Sequence, residues 1–162
     1  MFSGPQIADF LADVGITHVV AVADSTLGPW HPAIAAHPQL RLVRVCREGE
    51  AWAVAGGLYL GGATPLVLIQ CTGLFESGDA LRNMVHDWKL PLFCMIGYRS
   101  YLNQDTLPGD TCLEFTEPLM DAWRFDWRLI KSPDQFDEMG VHYRHCAAAR
   151  TSGGLVIAEG RA

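Results

Sequence analysis

Residues 40–76 read LRLVRVCREGEAWAVAGGLYLGGATPLVLIQCTGLFE, and their reading decides the fold. Leu40 to Cys46 is short and apolar-rich, with two valines, as strands prefer. Arg47-Glu48-Gly49 breaks it. Ala51 to Leu60 is rich in Ala and Leu and stops at Gly61-Gly62, which predicts a helix. Pro65 to Gln70 is a continuous apolar run, as in a strand covered on both faces. Strand–helix–strand of this length implies a right-handed crossover and parallel strands. Glu48 and the Cys71-Thr72-Gly73 turn are then expected at the carboxyl ends of adjacent strands, where open α/β sheets bind ligands.

Working outward, Ser3-Gly4-Pro5-Gln6 is a capping box for a helix to about Val14, with Gly15 just past its end. Thr17 to Ala23 predicts the first strand. Asp24 to Gly28 is a polar turn before a short helix opening at Pro29 or Trp30. Downstream, Gly78 to Lys89 predicts a helix with Leu81, Val85 and Trp88 on one face, and Leu92 to Ile96 a fourth strand. Gly97 to Thr111 is the longest segment without a predicted element, the kind of loop that often serves as a lid or binding loop. Glu114 to Trp123 reads as a helix, with Thr111 and Glu114 or Thr116 as rival start signals. Trp127 to Ile130 is a strand. Ser132-Pro133-Asp134-Gln135 opens a helix to about Arg150, and Gly153-Gly154 turns into a strand from Leu155 to Ala158. Six short strands alternating with helices predict a three-layer α/β/α fold, a doubly wound parallel sheet, as one domain over residues 1–162. There are no repeats or low-complexity tracts.

Of the 162 residues, 49% are hydrophobic and 19% charged, so the surface is expected to be more apolar than usual, as in a chain that hides one face against a partner. A net charge of −6 argues against nucleic acid, which wants a basic stripe. Five cysteines without a CxxC pair point to core thiols in a reducing cytoplasm. No apolar run approaches the roughly 20 residues that span a bilayer. The first residues, MFSGPQ, lack a signal-peptide charge pattern.

Taken singly, the polar candidates have plain explanations. Glu48 and Glu50 fall in the first turn of a helix, where the macrodipole favours carboxylates. Asp24-Ser25 is a natural N-cap pair. His142 and His145 lie one turn apart before Cys146, with no further ligand cluster nearby in sequence, so no metal is assigned to them. His86-Asp87 reads as a solvated pair, and Arg99 as a surface arginine within reach of a ligand. No phosphate-loop motif is present among the glycines.

Together, the residues resemble a known family: the pyrimidine-binding (Pyr) domains of thiamine-diphosphate enzymes, above all the α subunits or N-terminal halves of sulfopyruvate and phosphonopyruvate decarboxylases. GITHVVAVADSTL at residues 15–27 resembles the family's first strand and its G-I-x-x-x-x-x-V-P-D-S turn, with Ala23 in place of proline. REGEAWAVAGGLYLGG at residues 47–62 resembles N-E-G-N-A-x-A-x-A-A-G-Y-x-L-A-x-G. LVLIQCTGL at residues 66–74 resembles x-V-x-x-Q-N-S-G-L, and LPLFCMIGYRS at residues 90–100 resembles I-P-x-L-L-L-I-x-x-R-G. The resemblance covers nearly the whole chain.

The resemblance implies that Glu48 sits against N1′ of the cofactor's aminopyrimidine. A carboxyl group there favours the imino tautomer that removes the thiazolium C2 proton, and the cofactor takes up the electrons left by carbon dioxide. It further implies that Thr72, Gly73 and Leu74 line the pyrimidine and that Asp24 and Ser25 stand at the active-site mouth. Arg99 is retained and suits a sulfonate or phosphonate. Cys71-Thr72 replaces the usual Asn-Ser, and Phe75 to Asp79 replaces a Gly-Asn continuation, both where substrate would be read. The family's G-D-G…N motif for diphosphate and Mg²⁺ is missing; Gly78-Asp79-Ala80 with Asn103 only imitates it. The expectation is therefore the α subunit of a two-chain 2-oxo acid decarboxylase. A β subunit would hold the diphosphate and Mg²⁺, and Pyr subunits would pair within a hetero-oligomer. The alternative is a non-catalytic flavodoxin-like module binding a small ligand or partner in the same crevice.

Overall fold

The computed structural model describes residues 2–159; Met1 and residues 160–162, the ends of the expected domain, lie outside them. All six strands are parallel: β1 (His18–Ala21), β2 (Arg41–Arg44), β3 (Pro65–Gln70), β4 (Phe93–Tyr98), β5 (Asp126–Ile130) and β6 (Gly153–Ala158). They are ordered β2-β1-β3-β4-β6-β5. β2 lies on one side of β1 and β3 on the other, so the winding reverses there and leaves a crevice at the carboxyl ends. β1 thus separates β2 from β3, which are not adjacent as the sequence suggested. The crossover between them rides over β1, whose Val20 packs with Ala51, Trp52 and Ala55.

Side chains alternate along each central strand. Val19, Leu66, Leu68, Met95 and Leu155 face one core with α1 (Gly4–Asp13), α2 (His31–Ala36) and α6 (Phe136–Ala149). Val20, Val67, Ile69, Cys94 and Val156 face the other with α3 (Glu48–Leu60), α4 (Cys71–Leu81) and α5 (Cys112–Ala122). That alternation on β3, whose six residues are all buried, is what a strand covered on both faces requires.

The Ser3 cap forms as read, its Oγ accepting from Gln6 N at 3.3 Å, and Gly15 takes a positive φ of 86°. Several boundaries moved. The expected turn at residues 71–73 is the first turn of α4, which follows β3 without a loop; Gly78, the expected helix start, is a kink within α4 (φ 21°). α3 begins at Glu48, so the expected break is helical too. The Gly153-Gly154 turn is strand, paired with Phe93 and Cys94 of β4, and a side chain at Gly154 would come within 2.8 Å of Cys94 Sγ. The segment expected to be a long structureless loop holds the last two residues of β4, a 3₁₀ turn at Tyr101–Asn103 and a tie through Asp110. At residue 132 the cap fails: Ser132 Oγ bonds Asp134 instead, and a 3₁₀ turn precedes α6.

Candidate active site

Three segments meet at the crevice: the turn after β1, the start of α3 after β2, and the start of α4 after β3. Glu48 and Gly73, 25 positions apart in sequence, are in contact. A methyl group at Gly73 would lie 2.6 Å from Glu48 Oε1, so only glycine leaves room for that carboxylate. The half-buried Glu48 side chain is therefore laid across the first turn of α4. Leu74 is buried behind it, while Thr72 is exposed toward the crevice.

α3 begins without a capping side chain of its own, because Arg47 stands at the N-cap. Glu76 supplies the missing acceptor from α4. Its carboxylate accepts Gly49 N at 2.7 Å and Arg47 Nε at 2.9 Å. The Gly49 and Arg47 bonds hold Glu76 below the usual carboxylate range. Glu50 reaches back to Cys46 N at 3.0 Å. Both residues flanking Glu48 are thereby fixed, with Glu76 as their clamp. The signal for it was present: a helix start with no Ser, Thr, Asp or Asn needs an acceptor from elsewhere.

Gln70 joins the other two segments. Its Nε2 donates to Thr26 Oγ1 at 2.6 Å and its Oε1 accepts Thr72 Oγ1 at 2.9 Å. Gly97 of β4 lets the β1 turn descend, since a methyl there would meet Thr26 Cγ2 at 2.7 Å. Gln70 and Thr26 belong to the LVLIQCTGL and GITHVVAVADSTL segments that carry the resemblance, but their bonding role is visible only in the structure. Asp24 Oδ1 accepts the N–H groups of Thr26 and Leu27 at 2.6 and 2.7 Å. Its Oδ2 is buried with no partner, as is Nε2 of His31, whose pKa burial lowers and Asp24 opposes. Such an orphaned carboxylate oxygen suits a site that awaits a polar group. Ser25 is exposed at the same turn.

Arg99 is paired. Its Nε and Nη2 donate to Asp110 at 3.2 and 3.3 Å. Ser100 Oγ and Cys112 N bond the same carboxylate at 2.7 and 3.0 Å. Burial opposes the Asp110 charge, but these donors outweigh it and hold the group well below the usual range. Ser100 is fully buried in a left-handed conformation (φ 66°). A shallow hollow of about 480 Å³ opens beside Arg99 and Asp110. A more enclosed one, about 150 Å³, lies at the opposite, amino-terminal end of the sheet among Thr64, Pro65, Phe93 and Tyr143, away from Glu48.

The family profile "Thiamine pyrophosphate enzyme, N-terminal TPP binding domain" matches residues 3–122, which span all three segments of the crevice. The chain belongs to this family. Among relatives of this TPP-binding domain, a phosphonopyruvate decarboxylase of Streptomyces viridochromogenes is 29% identical over 150 residues, 92% of this chain. The chain spans only 37% of that protein's length. The α subunit of sulfopyruvate decarboxylase from Methanococcus maripaludis is 26% identical over 125 residues, 77% of this chain and 75% of the subunit. Among solved structures, a Mycobacterium smegmatis protein described as a thiamin diphosphate-dependent enzyme superposes on 97% of this TPP-binding domain with a TM-score of 0.67. The overlap covers 30% of that protein at 15% identity, which speaks to fold alone.

Proposed function

We propose that this chain is the pyrimidine-binding α subunit of a two-chain thiamine-diphosphate-dependent 2-oxo acid decarboxylase, of the sulfopyruvate or phosphonopyruvate type. The observation that carries the reading is the Glu48 carboxylate laid over Gly73, flanked by backbone that Glu76 pins. A shared proton between a carboxyl and the aminopyrimidine needs that carboxyl held in one place, and this arrangement holds it. Thiamine diphosphate, when bound, supplies the electron sink for loss of carbon dioxide. Glu48 would hold a proton at the pyrimidine N1′, and the first turn of α4 at Thr72, Gly73 and Leu74 would form the wall against the ring. Asp24 and Ser25 would stand at the mouth, where the orphaned Oδ2 can accept from substrate or cofactor. Arg99, oriented by Asp110, would turn its remaining N–H donors to a sulfonate or phosphonate. A β subunit would hold the diphosphate and Mg²⁺, with Pyr subunits paired in a cytoplasmic hetero-oligomer. No described helix is long and apolar enough to cross a membrane.

The test is Glu48→Gln in the assembled enzyme. The isosteric amide keeps shape and packing but cannot share a proton with the ring. Turnover is expected to fall by roughly 10²-fold or more, and C2-proton exchange of bound cofactor to slow with it. A mere dipole partner would cost about 0.3–1 kcal/mol of stability and leave the rate alone. Glu50→Gln is the control. Normal exchange and turnover in Glu48→Gln would remove the case for this function.

A further inference from the structure

Beyond the crevice, at the amino-terminal edge of the sheet, side chains from β5 and α6 converge. Asp126 opens β5, and His142, His145 and Cys146 lie on the face of α6 that turns toward it. Asp126, His142 and Cys146 each offer a donor atom within 4.8 Å of the others'. His142 Nε2 stands 3.7 Å from Cys146 Sγ, and His145 Nε2 stands 3.3 Å from Asp126 Oδ2. Tetrahedral zinc, with bonds of about 2.0–2.1 Å to N or O and about 2.3 Å to S, places its donors about 3.3–3.6 Å apart. Both measured separations are near that edge length. All four residues lie past residue 122, outside the family match.

We propose that Asp126, His142 and Cys146, with the exposed His145 swinging in from its contact with Asp126 as the fourth ligand, form a binding site for one divalent cation of the zinc class, tying α6 to the edge strand β5. The donor set is mixed imidazole, thiolate and carboxylate, which suits zinc and not Mg²⁺ or Ca²⁺. His142 and Cys146 are buried, so two donors are already dehydrated, while a hollow of about 440 Å³ lined by His142, His145 and Arg128 gives a path from solvent. Arg128 Nη1 holds Asp126 Oδ1 at 3.3 Å, orienting the carboxylate with Oδ2 toward His145.

Metal-free, the cluster is self-satisfied: His142 Nε2 bonds the Asp126 carbonyl at 2.9 Å. Binding moves the imidazole proton to Nδ1 and turns Nε2 off the Asp126 carbonyl, so that its lone pair faces the cation, and releases the thiol proton of Cys146 to solvent. The ionisable groups facing that thiol are Asp126 and Arg128 from β5, His142 from its own helix and Cys94 from β4. Burial first, then Asp126, pushes it up to about 11. One proton is thus released per ion, so uptake weakens as pH falls.

The chain carrying Cys46→Ser, which removes its exposed thiol, is titrated with Co²⁺ and then with Zn²⁺. One equivalent is expected, with a thiolate-to-cobalt charge-transfer band that Zn²⁺ displaces. Cys146→Ser should abolish the band, and His145→Ala should weaken Zn²⁺ uptake by at least about tenfold. His145 is 62% exposed, so its variant folds even if Cys146→Ser does not. Absence of stoichiometric uptake by the parent, or uptake unchanged in His145→Ala, overturns the site. Neither readout depends on thiamine diphosphate or on a decarboxylase reaction.

Discussion

Gly73 carries more of the candidate site than its size suggests. Because a methyl there would overlap Glu48, Gly73→Ala must either eject the carboxylate or push α3 from α4. Overpacking of this kind costs about 1–3 kcal/mol, and a lower Tm together with loss of cofactor affinity is the expected outcome. A second residue-scale expectation concerns Asp110. Its carboxyl titrates below the ordinary 3.8 in the folded chain, so its contribution to stability is complete above that value and fades as pH falls toward the folded pKa. Asp110→Asn should destabilise the chain at neutral pH, and the gap from the parent should narrow below about pH 4 in urea melts. A gap that stayed constant with pH would mean that the charge is irrelevant. Glu48, Thr72 and Gly73 could be picked from sequence because they carry spacing and motif. The bonding roles of Gln70, Glu76 and Asp110 could not, since each acts through a partner 11 to 44 positions away.

At the scale of elements, α3 and α4 are one unit. Trp52 Nε1 donates to Ser77 Oγ at 2.8 Å, Ser77 donates to Gly73 O at 2.6 Å, and Glu76 caps α3 from outside. Glu76→Ala removes an acceptor without opening the core. A lost cap costs about 0.5–2 kcal/mol. The low end is expected here, because solvent screens the exposed Arg47 pair. Faster amide exchange confined to the first turn of α3 would check it; unchanged exchange there would deny the clamp. Element order was legible because apolar runs and Gly stops alternate regularly. The starts of α3 and α4 were not. Glu48-Gly49 and Thr72-Gly73 look like breakers by propensity; a tertiary bond to Glu76 in the first case, and in the second a bond from Ser77 one turn along α4, override that preference.

For the whole molecule, the two cores share one sheet, so β3, β4 and β6 are sealed on both faces while β2 and β5 edge it. Global unfolding should set the exchange of amides in β3, β4 and β6, and sub-global opening those of β2 and β5. Equal protection across all six strands would contradict that ranking. The layering was readable from the six-residue apolar run of β3. The strand order was not, because nothing in residues 40–70 announces that β1 inserts between β2 and β3.

β3 enters α4 at Cys71 with no connecting residue. The wall at Thr72, Gly73 and Leu74 therefore has no hinge, and its conformational entropy was lost when the sheet formed. A ring stacking there would meet a surface already in its bound shape. Association should carry little ordering penalty from this side of the crevice, and any slow closing step must belong elsewhere than this wall.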